Sequence, residues 1–213
     1  KGLGSKKITI EGVDELSGIN VVVPSDRIEA GTFAIAVSAT GGKVKLVNTT
    51  YQENENLLKV LEKSGAKIYK STNTLIIEKS VGIVNPINVT TRSYPGFPTD
   101  LQAQLMALMT ISNGKSKITE KIFENRFMHV QELVRMGADI KLSKDKAIIT
   151  GVDELIGANV MATDLRASAS LVIAGLMAKG RTIISRIYHL DRGFYNLESK
   201  LNHCGASIKR IRD

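Results

Sequence analysis

ATDLRASASLVIAGLMAKG, residues 162–180, is the stretch on which the fold turns. Asp164 stands where a helix N-cap belongs, because a side-chain oxygen there satisfies an orphan backbone N–H. Gly180 suits the left-handed exit from a helix. Between them the segment has hardly a polar face after its first turn. A helix apolar all round has to be buried on all sides. The pattern occurs twice more, in PTDLQAQLMALMTISNG (98–114) and PSDRIEAGTFAIAVSATGG (24–42). Three similar helices therefore start alike. If they pack as equivalent units, their positive N-terminal ends point at one place and form a ready anion site.

The repetition extends outward from the helices. Each apolar run is followed by a short alternating segment that reads as a strand: KVKLVN (43–48), KSKITEKI (115–122) and RTIISRI (181–187). A second, amphipathic helix is expected over 54–66, 129–138 and 194–206. Each of these ends in Gly-Ala and leads into a further strand, KIYKS, DIKLS or SIKRI. The glycines 65, 137 and 205 recur at intervals of about 70 residues, too long for a solenoid and suited to one supersecondary unit used three times. A second self-match supports this: IEGVDELSGINV (10–21) reads almost as ITGVDELIGANV (149–160), both extended segments with glycine turns. Two architectures remain open on periodicity alone. One buries the helices inside three sheets around a pseudo-three-fold axis; the other is a three-layer α/β sandwich.

The 213 residues are 43% hydrophobic and 23% charged, ordinary globular composition, enough for one large domain or two small ones. Aromatics are only 5% and Trp is absent, so aliphatic and small residues must build the core. The formal charge of +8 suits an anionic partner, but a solvated lysine-rich surface accounts for it equally. No groove-reading module with interleaved basic and aromatic residues is visible, so a nucleic-acid partner is not expected. The single cysteine, Cys204, excludes a disulfide framework and is expected to be a buried structural thiol. KGLGSKKITI lacks an apolar run of signal-peptide length, and Leu171–Ala178 is too short to span a bilayer. A soluble cytoplasmic protein without a membrane partner is the default expectation.

Chemistry-bearing residues cluster beside the helix starts. Ser93-Tyr94-Pro95-Gly96-Phe97-Pro98-Thr99-Asp100 carries Asp100 on a loop stiffened by two prolines. Asp100 is either a helix cap, like Asp26 and Asp164, or a general base or substrate-orienting carboxylate. Arg126, Arg166 and Arg192 lie where strands meet turns or helices begin. Arginine is unfavourable beside a helix N-terminus unless an anion or carboxylate compensates. Arg166 is thus a local inconsistency of the kind found at functional sites. A fork for carboxylate or phosphate is one use, and salt bridges to Asp164, Asp191 or Glu124 are the other. No P-loop, GxGxxG, zinc-ligand spacing or Ser-His-Asp signature is present.

Taken together, PGFPTDLQAQ (95–104), TEKIFENRFMHV (119–130), ATDLRASASLVIAG (162–175) and RIYHLDRG (186–193) are highly specific. With GVDELSG (12–18) and SDRIEAGTF (25–33), they make the whole chain resemble the enolpyruvyl transferase family, in its UDP-N-acetylglucosamine branch. The resemblance implies an α/β fold of two domains, each of three βαβαββ units with apolar helices inside and sheets outside. It implies transfer of the enolpyruvyl group of phosphoenolpyruvate to the 3′-hydroxyl of UDP-N-acetylglucosamine. The route is addition and then elimination through a tetrahedral ketal, in a cleft between domains, with no metal or organic cofactor. It also implies the first committed step of peptidoglycan synthesis. By position, Asp100 matches the carboxylate that meets the sugar hydroxyl. Ile122 matches a position whose backbone contacts the UDP-sugar. Arg126, Arg166 and Arg192 match arginines around phosphoenolpyruvate, with Asp164 an acid beside them. Asp100 and Arg192 are the expected catalytic groups.

One departure matters. Family members are about twice this long. The lysine-asparagine pair and the cysteine loop of the N-terminal domain have no counterpart here, and Cys204 does not match that cysteine. Residues 1–22 are expected to be the tail of the companion domain, either loose or paired unnaturally. Residues 23–213 are then expected to hold three units, about 23–88, 89–150 and 151–213, forming a C-terminal half that is inactive alone.

Overall fold

The computed structural model describes residues 1–211. Residues 1–26 form no helix or strand and are exposed throughout. Order starts at Asp26, whose carboxylate accepts from Ile28 N at 2.7 Å and Glu29 N at 3.1 Å and caps α1 (Arg27–Thr40). The chain continues through β1 (Gly42–Val47), α2 (Tyr51–Ser64), β2 (Lys67–Ser71) and β3 (Thr74–Lys79). Thr50 and Glu53 form a reciprocal capping box at α2, and Gly65, at φ 106°, gives that helix its left-handed exit. These strands make one antiparallel sheet in the order β1-β3-β2.

The middle of the chain gives β4 (Asn88–Thr90), a 3-10 turn (Thr99–Leu101), α3 (Gln102–Met109), β5 (Lys115–Thr119), α4 (Val130–Arg135), β6 (Asp139–Ser143) and β7 (Lys146–Thr150). Their sheet runs β4-β5-β7-β6, with β4 parallel to β5 and the other pairs antiparallel. The last part holds β8 (Asn159–Met161), α5 (Leu165–Met177), β9 (Ile183–Ser185), α6 (Tyr188–Asp191) and α7 (Leu197–His203). Here β8 and β9 form a parallel pair.

The three apolar helices meet one another: α1 touches α3 and α5, and α3 touches α5. Every residue of α3 is buried. Their small polar residues are tolerated because each hydroxyl bonds to its own helix. Thr32 donates to Ile28 O, Ser38 to Ala34 O, Ser168 to Asp164 O and Ser170 to Ala167 O. Between helices, the Gln104 amide donates to Thr32 Oγ1 at 3.2 Å. Leu57, Leu58 and Leu61 of α2, and Val130 and Leu133 of α4, close the main core. A smaller cluster joins Phe33 and Ala169 to Leu190, Phe194, Leu197 and Leu201.

Three expectations are corrected. SIKRI (207–211) is not a strand. KIYKS and DIKLS gain their ladders from the return strands β3 and β7, whereas residues 207–211 pair with no strand among the described residues. Cys204 is exposed rather than buried, because α7 stops at His203 and its core seam consists of Leu197 and Leu201. Of the three apolar helices, only α1 closes directly on glycine; α3 and α5 are capped by Thr110 and Ala178, before Gly114 and Gly180. No helix among the described residues is long and apolar enough to cross a membrane.

The two self-similar segments have different surroundings. Leu155 is fully buried, whereas Leu16, its counterpart, is 93% exposed. Leu155→Ala should therefore cost this chain about 2–5 kcal/mol. Leu16→Ala should change stability by less than about 0.5 kcal/mol. Urea unfolding of the two variants checks this; equal losses would mean that residues 10–21 are packed as 149–160 are.

Candidate active site

The three aspartates at the helix starts divide into two kinds. Asp26 and Asp164 cap: Asp164 Oδ1 accepts from Arg166 N at 2.8 Å and Ala167 N at 3.0 Å. Asp100 does not. It lies inside the 3-10 turn that follows Pro98, and neither that turn nor α3 has a side-chain cap. Its carboxylate instead receives Arg126 Nη2 at 2.8 Å and lies 3.4 Å from Arg166 Nε. A group from the middle sheet's helix thus holds one arginine of the following loop and one of the first turn of α5. All three side chains are partly exposed, between 20% and 35%, so the cluster is reachable from solvent.

The support around Asp100 is dense. Arg92 N donates to Phe97 O and Gly96 N to Ser93 O, which folds the preceding loop onto itself. The Asn56 amide of α2 donates to Pro95 O, and the Arg27 guanidinium lies over the Tyr94 ring. On the other side, Glu120 is 4% exposed and accepts four hydrogen bonds. Thr91 Oγ1 (2.7 Å), Ile122 N (2.8 Å) and Phe123 N (3.1 Å) donate to one oxygen, and Thr99 Oγ1 (2.8 Å) to the other. Ile122 is thereby fixed with its N–H already spent, leaving its carbonyl as the backbone group it can offer a ligand. The Arg126 guanidinium stacks over the Phe123 ring at 4.8 Å.

His129 is 2% exposed and its Nε2 has no partner. Burial pushes its pKa from 6.5 down to about 4; the nearby Asp164 carboxylate opposes that shift and Arg126 adds to it. A neutral imidazole thus sits among the charges of the site.

Arg192 is not drawn into the Asp100 pair. It is exposed at the end of α6, and among the described residues its guanidinium is unpaired. The turn that carries it is nevertheless fixed to the site. Gly193 lies against Leu165, where an added Cβ would meet the leucine side chain at 2.9 Å, and Leu165 separates Asp164 from Arg166. Arg210 stiffens that turn from behind, donating to both oxygens of Asp191 and both of Glu198. These bonds hold both carboxyl groups below their ordinary pKa. The sequence singles out none of Thr91, Thr99, Glu120 and His129 as a site residue. Among the described residues no group of three or more His, Cys, Asp or Glu is placed to hold a metal ion.

The profile of the family described as EPSP synthase (3-phosphoshikimate 1-carboxyvinyltransferase) matches residues 1–201. The chain belongs to the EPSP synthase family. Within this family it is 55% identical over 210 residues to UDP-N-acetylglucosamine 1-carboxyvinyltransferase 1 of Mesorhizobium japonicum, and 54% identical to the Chelativorans sp. protein named UDP-N-acetylglucosamine 1-carboxyvinyltransferase. Each match takes in 99% of this chain and 49% of the relative, so the chain spans about half the length of the curated relatives it matches. Among solved structures, the enolpyruvyl transferase NikO from Streptomyces tendae superposes with a TM-score of 0.79 at 25% identity, over 89% of this chain and 45% of that one. An EPSP synthase from Acinetobacter baumannii, at TM-score 0.58 and 16% identity over 77% of this chain and 39% of that one, shares the fold. The mixed α/β architecture is thus that of the EPSP synthase family.

His129 gives this EPSP synthase family member a pH signature. Its folded pKa lies below the unfolded one, so the unfolded chain binds the extra proton first as pH falls. The neutral form's contribution is complete above pH 6.5 and is lost between about 6.5 and about 4, by roughly 3 kcal/mol in all. In His129→Leu, urea midpoints should fall less over that interval than in the unmodified chain. Parallel curves would mean that the imidazole charges freely in the folded state.

Proposed function

We propose that this chain is one half of an enzyme that transfers the enolpyruvyl group of phosphoenolpyruvate to the 3′-hydroxyl of UDP-N-acetylglucosamine. In this reading it acts in the cytoplasm, in the first committed step of peptidoglycan synthesis, and so serves cell-wall biogenesis, cell shape and division. The observation that carries the reading is the shared hold of Arg126 and Arg166 on Asp100. It is supported by the names and the 55% identity of the relatives.

In this reading both guanidinium groups occupy Asp100 until substrate arrives. Phosphoenolpyruvate brings a carboxylate and a phosphate, and Arg126, Arg166 and Arg192 turn to these anions. The released Asp100 then accepts the proton of the sugar 3′-hydroxyl as its oxygen bonds to C2 of phosphoenolpyruvate. C3 takes a proton from an acid on the companion half, giving a tetrahedral ketal. Loss of a C3 proton and expulsion of phosphate restore the double bond. The fixed cations stabilise charge as these C–O bonds form and break. Asp164 holds the first turn of α5, and with it Arg166, in line. Ile122 receives the UDP-sugar through its backbone carbonyl. The acid and the remaining anion ligands belong to the companion half, so the isolated chain is inactive and binds UDP-sugar weakly at most.

We further read the sheets as three βαβαββ units around the helix trio, helices inside. The second unit is whole, with β4, α3, β5, α4, β6 and β7 in order. Asn88 and Asn159 open β4 and β8 within Ile87-Asn88-Val89 and Ala158-Asn159-Val160; Ile19-Asn20-Val21 repeats that pattern ahead of α1. In this chain residues 20–22 form no strand, and residues 1–22 are read as the tail of the companion half that crosses to it.

In the full-length protein, Asp100→Ala should lower turnover by about 10²–10⁴-fold while leaving the fold intact. Near-normal turnover would reduce Asp100 to a structural anchor for Arg126. Arg192→Ala should weaken phosphoenolpyruvate engagement on the order of tenfold and UDP-sugar binding less. Separate titration of each ligand reads the order, and the reverse order would remove Arg192 from the phosphoenolpyruvate side.

A further inference from the structure

We propose that Glu120 is the positioning residue of this site, setting the spacing between Asp100 and the loop from Ile122 to Arg126; this rests on the transferase reading above. The bonds close a ring. Thr99, beside Asp100, donates to one Glu120 oxygen at 2.8 Å, and Ile122 N and Phe123 N donate to the other at 2.8 and 3.1 Å. Three residues beyond Phe123, Arg126 returns to Asp100 at 2.8 Å. Thr91 anchors the ring to the end of β4, donating to Glu120 at 2.7 Å while accepting from Lys121 N at 2.8 Å.

The choice of residue is informative. A buried carboxylate is costly unless it is paired or fully hydrogen-bonded. Among the described residues no cation pairs with Glu120, and the neighbouring Lys121 ammonium turns to Asp145. Glu120 is held by two hydroxyls and two backbone N–H groups. If the task were only to fill space, an apolar residue would do so with less penalty. Two acceptor oxygens on one rigid group let a single side chain grip both loops at once. One limb ends at Asp100, the proposed base, and the other at Ile122, the proposed sugar contact. The two limbs should therefore separate in kinetics.

The test uses the full-length protein, with kcat and KM measured per folded molecule. Thr99→Val cuts only the limb to Asp100, so kcat should fall about tenfold, with both KM values within about twofold of wild type. Glu120→Ala cuts both limbs, so kcat should fall at least as far and the KM for UDP-N-acetylglucosamine should rise about tenfold. In Glu120→Gln the amide oxygen still accepts from Ile122 N and Phe123 N, and that KM should return to within about threefold of wild type. Wild-type kcat in Thr99→Val, or a lowered melting temperature in Glu120→Ala with kcat and KM unchanged, overturns the proposal. If Glu120→Ala does not fold, Thr99→Val decides. Should the wild-type protein not turn over these substrates, the transferase reading falls, and the Arg126 Nε–H NMR signal then decides the positioning role. It is displaced by Thr99→Val if the ring is coupled and stays in place if it is not.

Discussion

The structure depends on one constraint: α1, α3 and α5 are too apolar to face water, and each packs against the other two, with α2, β1 and β3 completing the cover of α1. Burying α3 completely fixes where its N-terminus emerges. The turn at that end is a 3-10 turn behind Pro98, and it frees Asp100 from capping. A carboxylate relieved of its usual task beside a helix start becomes available to side chains from elsewhere. Arg166 can sit in the first turn of α5, against the electrostatic preference of a helix N-terminus, because Asp100 and the cap Asp164 supply compensating charge.

Around that pair the structure uses hydrogen bonds from neutral donors rather than further ion pairs. Glu120 is satisfied by hydroxyls and amides, and His129 is kept neutral by burial. In the proposed function, the arginines of the site are thereby left to turn to an incoming anion. Arg192 fits the same pattern from a greater distance, exposed on a turn that Gly193 and Leu165 seat beside α5 and that Arg210 braces through Asp191.

Much of this was legible in the sequence. The three apolar runs announced three buried helices, and the three Gly-Ala endings marked the amphipathic ones. The odd placement of Arg166 pointed to a compensating anion or carboxylate, with Asp164, Asp191 or Glu124 as the salt-bridge candidates; Asp100 is the partner observed. That choice depends on packing between α3 and α5, which no local spacing encodes. Glu120 and His129 were illegible for the same reason, since their meaning lies in long-range partners such as Thr91 and Asp164. SIKRI failed as a strand because a ladder needs a second strand, which propensity alone does not provide. Cys204 failed because helix α7 ends one residue before it.

The most direct measurement of the central claim is a crystal structure of the full-length protein with UDP-N-acetylglucosamine and a non-reacting phosphoenolpyruvate analogue. The account predicts that the Arg126 and Arg166 guanidinium groups will have left Asp100 for the analogue's anionic oxygens, with an Asp100 oxygen within hydrogen-bond distance of the sugar 3′-hydroxyl. Both ligands bound with Asp100 still held by the two arginines, or the analogue seated away from them, would contradict it.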